Sequence, residues 1–138
     1  MYCTIQDIAD DITELTLIEL TDDNKENSVN EDIVNAKISA NSIYIDSYIQ
    51  SSYTLPIADN LILKNICISL VVCDLYQRRL GLDYSESLVN RRSVANKTLE
   101  KIQSGVITLV VISNEEQSSF YLTSKTNRHF SDDILDRF

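Results

Sequence analysis

Leu61-Ile62-Leu63-Lys64-Asn65-Ile66-Cys67-Ile68-Ser69-Leu70-Val71-Val72-Cys73-Asp74-Leu75-Tyr76 carries apolar side chains that, projected at about 100° per residue, point in almost every direction. That is the pattern of a helix packed on all sides. A buried strand can have a similar composition, but a run near twenty residues without a turn signal favours helix. Pro56 and Asp59 precede the run, and Gly81 follows it. Asp59 is placed to cap the orphan N–H groups of the helix start, and Gly81 to take the left-handed conformation that ends a helix. Lys64, Asn65 and Asp74 confine the apolar stretch to residues 66–73, itself containing Ser69, well short of the ~20 apolar residues that a bilayer requires. The sequence therefore predicts a mainly α fold, a small helical bundle around a buried central helix at about 61–80.

Composition points the same way. A chain of 138 residues suits one compact domain, and two Gly and one Pro are too few for the turns of a sandwich or barrel. The opening Met1-Tyr2-Cys3-Thr4-Ile5-Gln6-Asp7 has no basic start followed by an apolar run, so a cytoplasmic protein without a signal peptide is expected. Cys67 and Cys73 lie about 240° apart on one helix and cannot pair with each other. Cys3 is remote in sequence, and all three read as buried, reduced thiols.

The net charge of −9 argues against general nucleic-acid binding. The charge is uneven. Residues 1–60 hold twelve Asp/Glu and two Lys, a balance of −10; residues 61–138 hold nine Asp/Glu and ten Lys/Arg, a balance of +1. Arg78, Arg79, Arg91, Arg92, Lys97 and Lys101 lie in the second part. They are either a solvated helix surface beside an acidic region, or one face of a head-to-tail assembly in which acidic and basic patches of successive copies meet.

Towards the N-terminus, Thr4 and Asp7 resemble a capping box for a first helix bearing Ile5, Ile8 and Ile12. A second short helix spans about 14–20. The loop 22–28 alternates Asp22, Asn24 and Glu26, but Asn27 and Ile33 stand where an EF-hand loop requires Gly and Glu, so no metal site is expected. Asn30 is a good N-cap for a third helix, with Glu31 and Asp32 at its positive end and Val29 able to staple onto Val34. Ile33, Val34, Ala36, Ile38, Ala40, Ile43, Tyr44, Ile45, Tyr48 and Ile49 cover about two thirds of its circumference, leaving Asn35, Ser39, Ser42, Asp46 and Gln50 on the rest. One core-facing stripe is narrower than that. Either this helix is sandwiched within the domain, or a side bearing Tyr44 and Tyr48 meets another subunit.

Beyond Gly81, a helix over about 85–104 presents Leu88, Ala95, Leu99 and Ile102 as one seam and stops at Gly105. The β-branched run 106–112 reads as a strand, 114–117 as a turn and Phe120-Tyr121-Leu122 as a return strand, a C-terminal β-hairpin or extended arm. In the last residues Ser131 can cap a two-turn helix, placing Phe130, Ile134, Leu135 and Phe138 on one side. So short a helix does not persist alone, so docking into a groove is expected, on its own domain or on a neighbour. The chain thus divides into a helical bundle, 1–105, and a strand-and-docking arm, 106–138.

No catalytic constellation is legible. His129 is the only histidine, two glycines cannot build a phosphate loop, and adjacent carboxylates such as Asp10-Asp11 read as solvated surface. The chain reads as a non-enzyme that requires no metal or cofactor.

Several pieces occur together in one known family. They are Met1-Tyr2-Cys3-Thr4 with Asp7-Ile8; Glu14-Leu15-Thr16-Leu17-Ile18-Glu19-Leu20-Thr21-Asp22; Ile45-Asp46-Ser47-Tyr48-Ile49 with Tyr53-Thr54-Leu55-Pro56; Cys73-Asp74-Leu75-Tyr76 with Arg79; and the ending Phe130-Ser131-Asp132-Asp133-Ile134-Leu135-Asp136-Arg137-Phe138. In that order the chain resembles the head-completion proteins of Mu-like phages and prophages, least so over 106–127. The resemblance implies a head–tail connector, or adaptor: a structural virion protein of the neck, assembled in the bacterial cytoplasm. Such a protein forms a homo-oligomeric ring, commonly of twelve copies, between the portal protein and a tail terminator or neck protein. The genomic DNA passes through its lumen without sequence-specific binding, and no membrane is involved. Family members often have a more Gly/Asp-rich loop at the position of 22–28, a departure that further weakens any metal site here. On this reading Phe130, Ile134, Leu135, Phe138, Arg78, Arg79, Arg91, Arg92, Tyr44 and Tyr48 are the candidate subunit and partner contacts. The alternative is a monomeric helical binding or regulatory module that presents the basic helix 85–104 to an acidic partner.

Overall fold

The computed structural model describes residues 1–81 and 84–111. Five α-helices occupy the described residues: α1 (Ile5–Ile12), α2 (Glu14–Thr21), α3 (Glu31–Ile49), α4 (Leu61–Leu80) and α5 (Glu86–Gln103). The mainly helical expectation holds, and α4 is its centre. It packs against each of the other four helices, and α3 also packs on α1 and α5. Leu63, Ile66, Cys67, Leu70, Val71, Val72, Cys73 and Leu75 of α4 are all buried.

Local sequence sets where these helices begin. Thr4 accepts from the Asp7 backbone N–H while the Asp7 carboxylate accepts from Thr4 N–H at 2.9 Å, a complete capping box. Asn30 accepts from Ile33 N–H at the start of α3, and Ser85 from Leu88 N–H at the start of α5. For α4 the cap is Asn60, accepting from Leu63 N–H at 3.1 Å, rather than Asp59. Asp59 has φ 53° and turns the chain into the helix, so Asn60, in extended backbone, is the residue that can reach back over the first turn. Gly81, with φ 60°, ends α4 as expected.

The broad apolar surface of α3 is only partly covered by its own domain. Val34, Ile38, Ile45 and Ile49 are buried within the bundle, whereas Ile43 is two-thirds exposed. Ser42, expected on the polar side, is buried, because the N-terminal segment crosses over it and Tyr2 N–H donates to its hydroxyl at 3.2 Å. On α5, Ala95, Leu99 and Ile102 face the core and Leu88 packs at its edge.

The expected first strand is absent over 106–111. Leu109 is buried and its N–H donates to the Tyr53 hydroxyl at 2.9 Å, while Asn60 Nδ2 donates to the Val110 carbonyl at 3.4 Å. Side chains of the loop between α3 and α4 take the place of a pairing strand, so β-branched composition alone was not enough. The proposed turn and return strand lie outside the described residues. No helix among the described residues is long and apolar enough to cross a membrane.

Candidate functional site

Of the basic residues singled out in the sequence, the four arginines are held by carboxylates of the same chain. Arg78 pairs with Asp23 and donates to the Leu20 carbonyl at 3.2 Å; Arg79 donates to Asp23 at 3.3 Å. Both arginines occupy the last turn of α4, where cations suit the helix dipole. The hydrogen bond from Arg78 and the charges of Arg78 and Arg79 hold the Asp23 carboxyl below the usual carboxylate range, against a smaller opposing effect of burial.

On α5, Arg91 donates to Asp11 at 2.8 Å and to the Ser69 hydroxyl at 3.2 Å. Arg92 donates to Asp74, whose other carboxylate oxygen accepts from Asn41 Nδ2 at 2.7 Å. Partial burial works against the Arg92 charge, but Asp74 and Tyr84 more than offset it and raise its pKa. The uneven charge of the two halves is therefore partly consumed inside one copy, with Asp11 and Asp23 of the acidic part meeting Arg91, Arg78 and Arg79.

Tyr44 and Tyr48 are brought together one turn apart on α3. Their rings meet edge to face with centroids 5.2 Å apart, and their hydroxyls are 3.1 Å apart. The Tyr44 hydroxyl also donates to Asn96 Oδ1 on α5 at 3.1 Å. The hydrogen bond with Tyr48, then burial, pushes the Tyr44 phenol up to about 12. Tyr44 and Ile43 mark the outward α3 surface.

The structure adds a surface that the sequence did not single out. Leu61, Ile62 and Val94 are exposed, and Ile62, Ile66, Ser69, Arg91, Val94 and Ala95 line an open groove of about 430 Å³ between α4 and α5. Val94 stands about 100° from the Ala95 seam. An apolar residue off the core-facing seam was the one available sign of this groove.

Asp22, considered as a cation ligand, holds its own loop instead: its carboxylate accepts from Glu26 and Asn27 N–H, each at 2.8 Å. Among the described residues no group of three or more His, Cys, Asp and Glu is placed to hold a metal ion. Phe130, Ile134, Leu135 and Phe138 lie outside the described residues.

A family model described as "Bacteriophage Mu, Gp36" matches residues 2–123. No curated protein matches the chain.

Proposed function

Because the chain belongs to the family described as Bacteriophage Mu, Gp36, we propose that it is a structural assembly protein of a Mu-like phage: a head–tail connector that forms an oligomeric ring between the portal and the tail terminator or neck. It acts by binding, not by catalysis. The observation that carries this reading is the family match across 2–123. Leu61, Ile62 and Val94 supply apolar area for contacts with other chains, which a ring repeats around its axis. Contacts that are individually weak gain holding power by that repetition. The net negative charge suits a lumen that lets DNA phosphates slide past. A monomeric module acting through a basic helix draws less support, since Arg91 and Arg92 are already committed to Asp11 and Asp74.

Multi-angle light scattering of the purified chain, alone and mixed with its portal protein, tests the reading. A discrete ring-sized mass, alone or on the portal, is expected. A monomer at every concentration, with no portal complex, would overturn it. Deleting residues 130–138 is expected to abolish docking to the adjoining ring while preserving the helical circular dichroism signal.

A further inference from the structure

Cys3 Sγ lies 3.2 Å from Cys67 Sγ, both residues are buried, and 64 positions of sequence separate them. The approach is held on both sides. Tyr2 N–H donates to Ser42, the Tyr2 hydroxyl donates to Asp46, and Ser42 Oγ stands 3.9 Å from Cys67 Sγ. The N-terminal segment is thereby laid across α3 and α4 with its thiol against the central helix. Cys73 is occupied elsewhere, donating to the Leu88 carbonyl at 3.4 Å. A disulfide requires the two sulfurs to close by only about 1.2 Å.

We propose that Cys3 and Cys67 form a reversible intramolecular disulfide, made by exchange with a low-molecular-weight disulfide of the oxidised-glutathione class, that bolts the N-terminal segment to α4. This inference does not rest on the connector reading. Cys3 lies on the wall of an open cleft of about 480 Å³ shared with Met1, Asp7, Ile57, Leu61 and Lys64, whereas Cys67 lies behind it. The Cys3 thiolate attacks one sulfur of the small disulfide, whose S–S bond breaks, leaving a mixed disulfide on Cys3 and releasing one small thiolate. The Cys67 thiolate then attacks Cys3 Sγ and expels the second small thiolate. The two protons of the protein thiols end on the two released small thiols, and the two electrons reduce the small disulfide.

The hydrogen bond from Cys3 lowers the Cys67 pKa, which favours Cys67 as the resolving thiolate, and the same contact raises that of Cys3. The first step is accordingly slow at neutral pH and quickens as pH rises. A reducing cytoplasm keeps the pair open, and an oxidising medium outside the cell closes it. The bond would close a long loop in the unfolded chain, enough to raise the thermal midpoint by roughly 10 °C.

The test equilibrates the full-length chain with oxidised and reduced glutathione in varying ratio, then alkylates under denaturing conditions and weighs the peptides. Alkylatable thiols should fall from three to one, the survivor being Cys73, with the thermal midpoint rising and dithiothreitol reversing both. Cys73→Ser keeps the pair and should fall from two alkylatable thiols to none; Cys3→Ser should lose the midpoint rise. Full alkylation at every ratio in the Cys73→Ser chain, glutathione retained on Cys3 as the end product, or a disulfide joining two chains would each overturn the proposal.

Discussion

The Arg91 guanidinium on α5 donates at 2.8 Å to the Asp11 carboxylate on α1, across 80 positions of sequence. The pair ties α5 to the acidic N-terminal part, and the stem of Arg91 forms one wall of the α4/α5 groove. Both side chains are about one-third exposed, at 32% and 31%, so solvent screens the attraction. Asp11→Asn should cost roughly 0.5 kcal/mol, and Arg91→Ala somewhat more because its stem is lost too. Urea denaturation of both single variants and the double variant checks this. The coupling should shrink as salt is raised.

A larger effect is expected at Asp74, which joins α3 to α5 through α4 by accepting from Asn41 and Arg92. Asp74→Ala leaves a half-buried guanidinium without its carboxylate and takes one of two acceptors from the Asn41 amide, which keeps the Lys37 carbonyl at 2.9 Å, a loss of about 2 kcal/mol. Its urea midpoint should fall clearly below that of Asp11→Asn. Equal midpoints would mean that Asp74 is solvated rather than structural.

Tyr44 should titrate late. Its phenol is pushed up to about 12, first by the hydrogen bond with Tyr48 and then by burial. Because the folded value lies above the ordinary 10, the associated stability is complete below pH 10 and is lost as pH rises towards 12. Ultraviolet titration of the folded chain should show this phenol ionising late, and Tyr48→Phe should bring it back towards 10.

Self-association should depend on the exposed row. Val94 is 64% exposed, so Val94→Asp is expected to leave the thermal midpoint nearly unchanged while placing a charge in the apolar groove. Sedimentation velocity should then show the assembled species lost. Leu70→Ala is the contrasting control: at 1% exposure its loss should cost about 3–5 kcal/mol and lower folding itself.

The helical character of this chain was fixed by short-range chemistry. Thr4 with Asp7, Asn30 with Ile33, and Ser85 with Leu88 each act over three positions, so the starts of α1, α3 and α5 were readable directly. The apolar residues of 61–76 likewise showed which helix the others must cover, because their wide spread around the axis suits a central helix, although Leu61 and Ile62 at its start stay exposed. Where a side chain ends up relative to a distant one was not readable. The meetings of Arg91 with Asp11, Arg78 with Asp23 and Cys3 with Cys67 depend on how helices cross and on where the N-terminal segment is laid down. Periodicity assigns a residue to a side of its own helix; only the packed bundle decides which neighbour covers that side. Ser42 is buried, Val94 is left in the open and 106–111 lies along the bundle without a pairing strand for that reason.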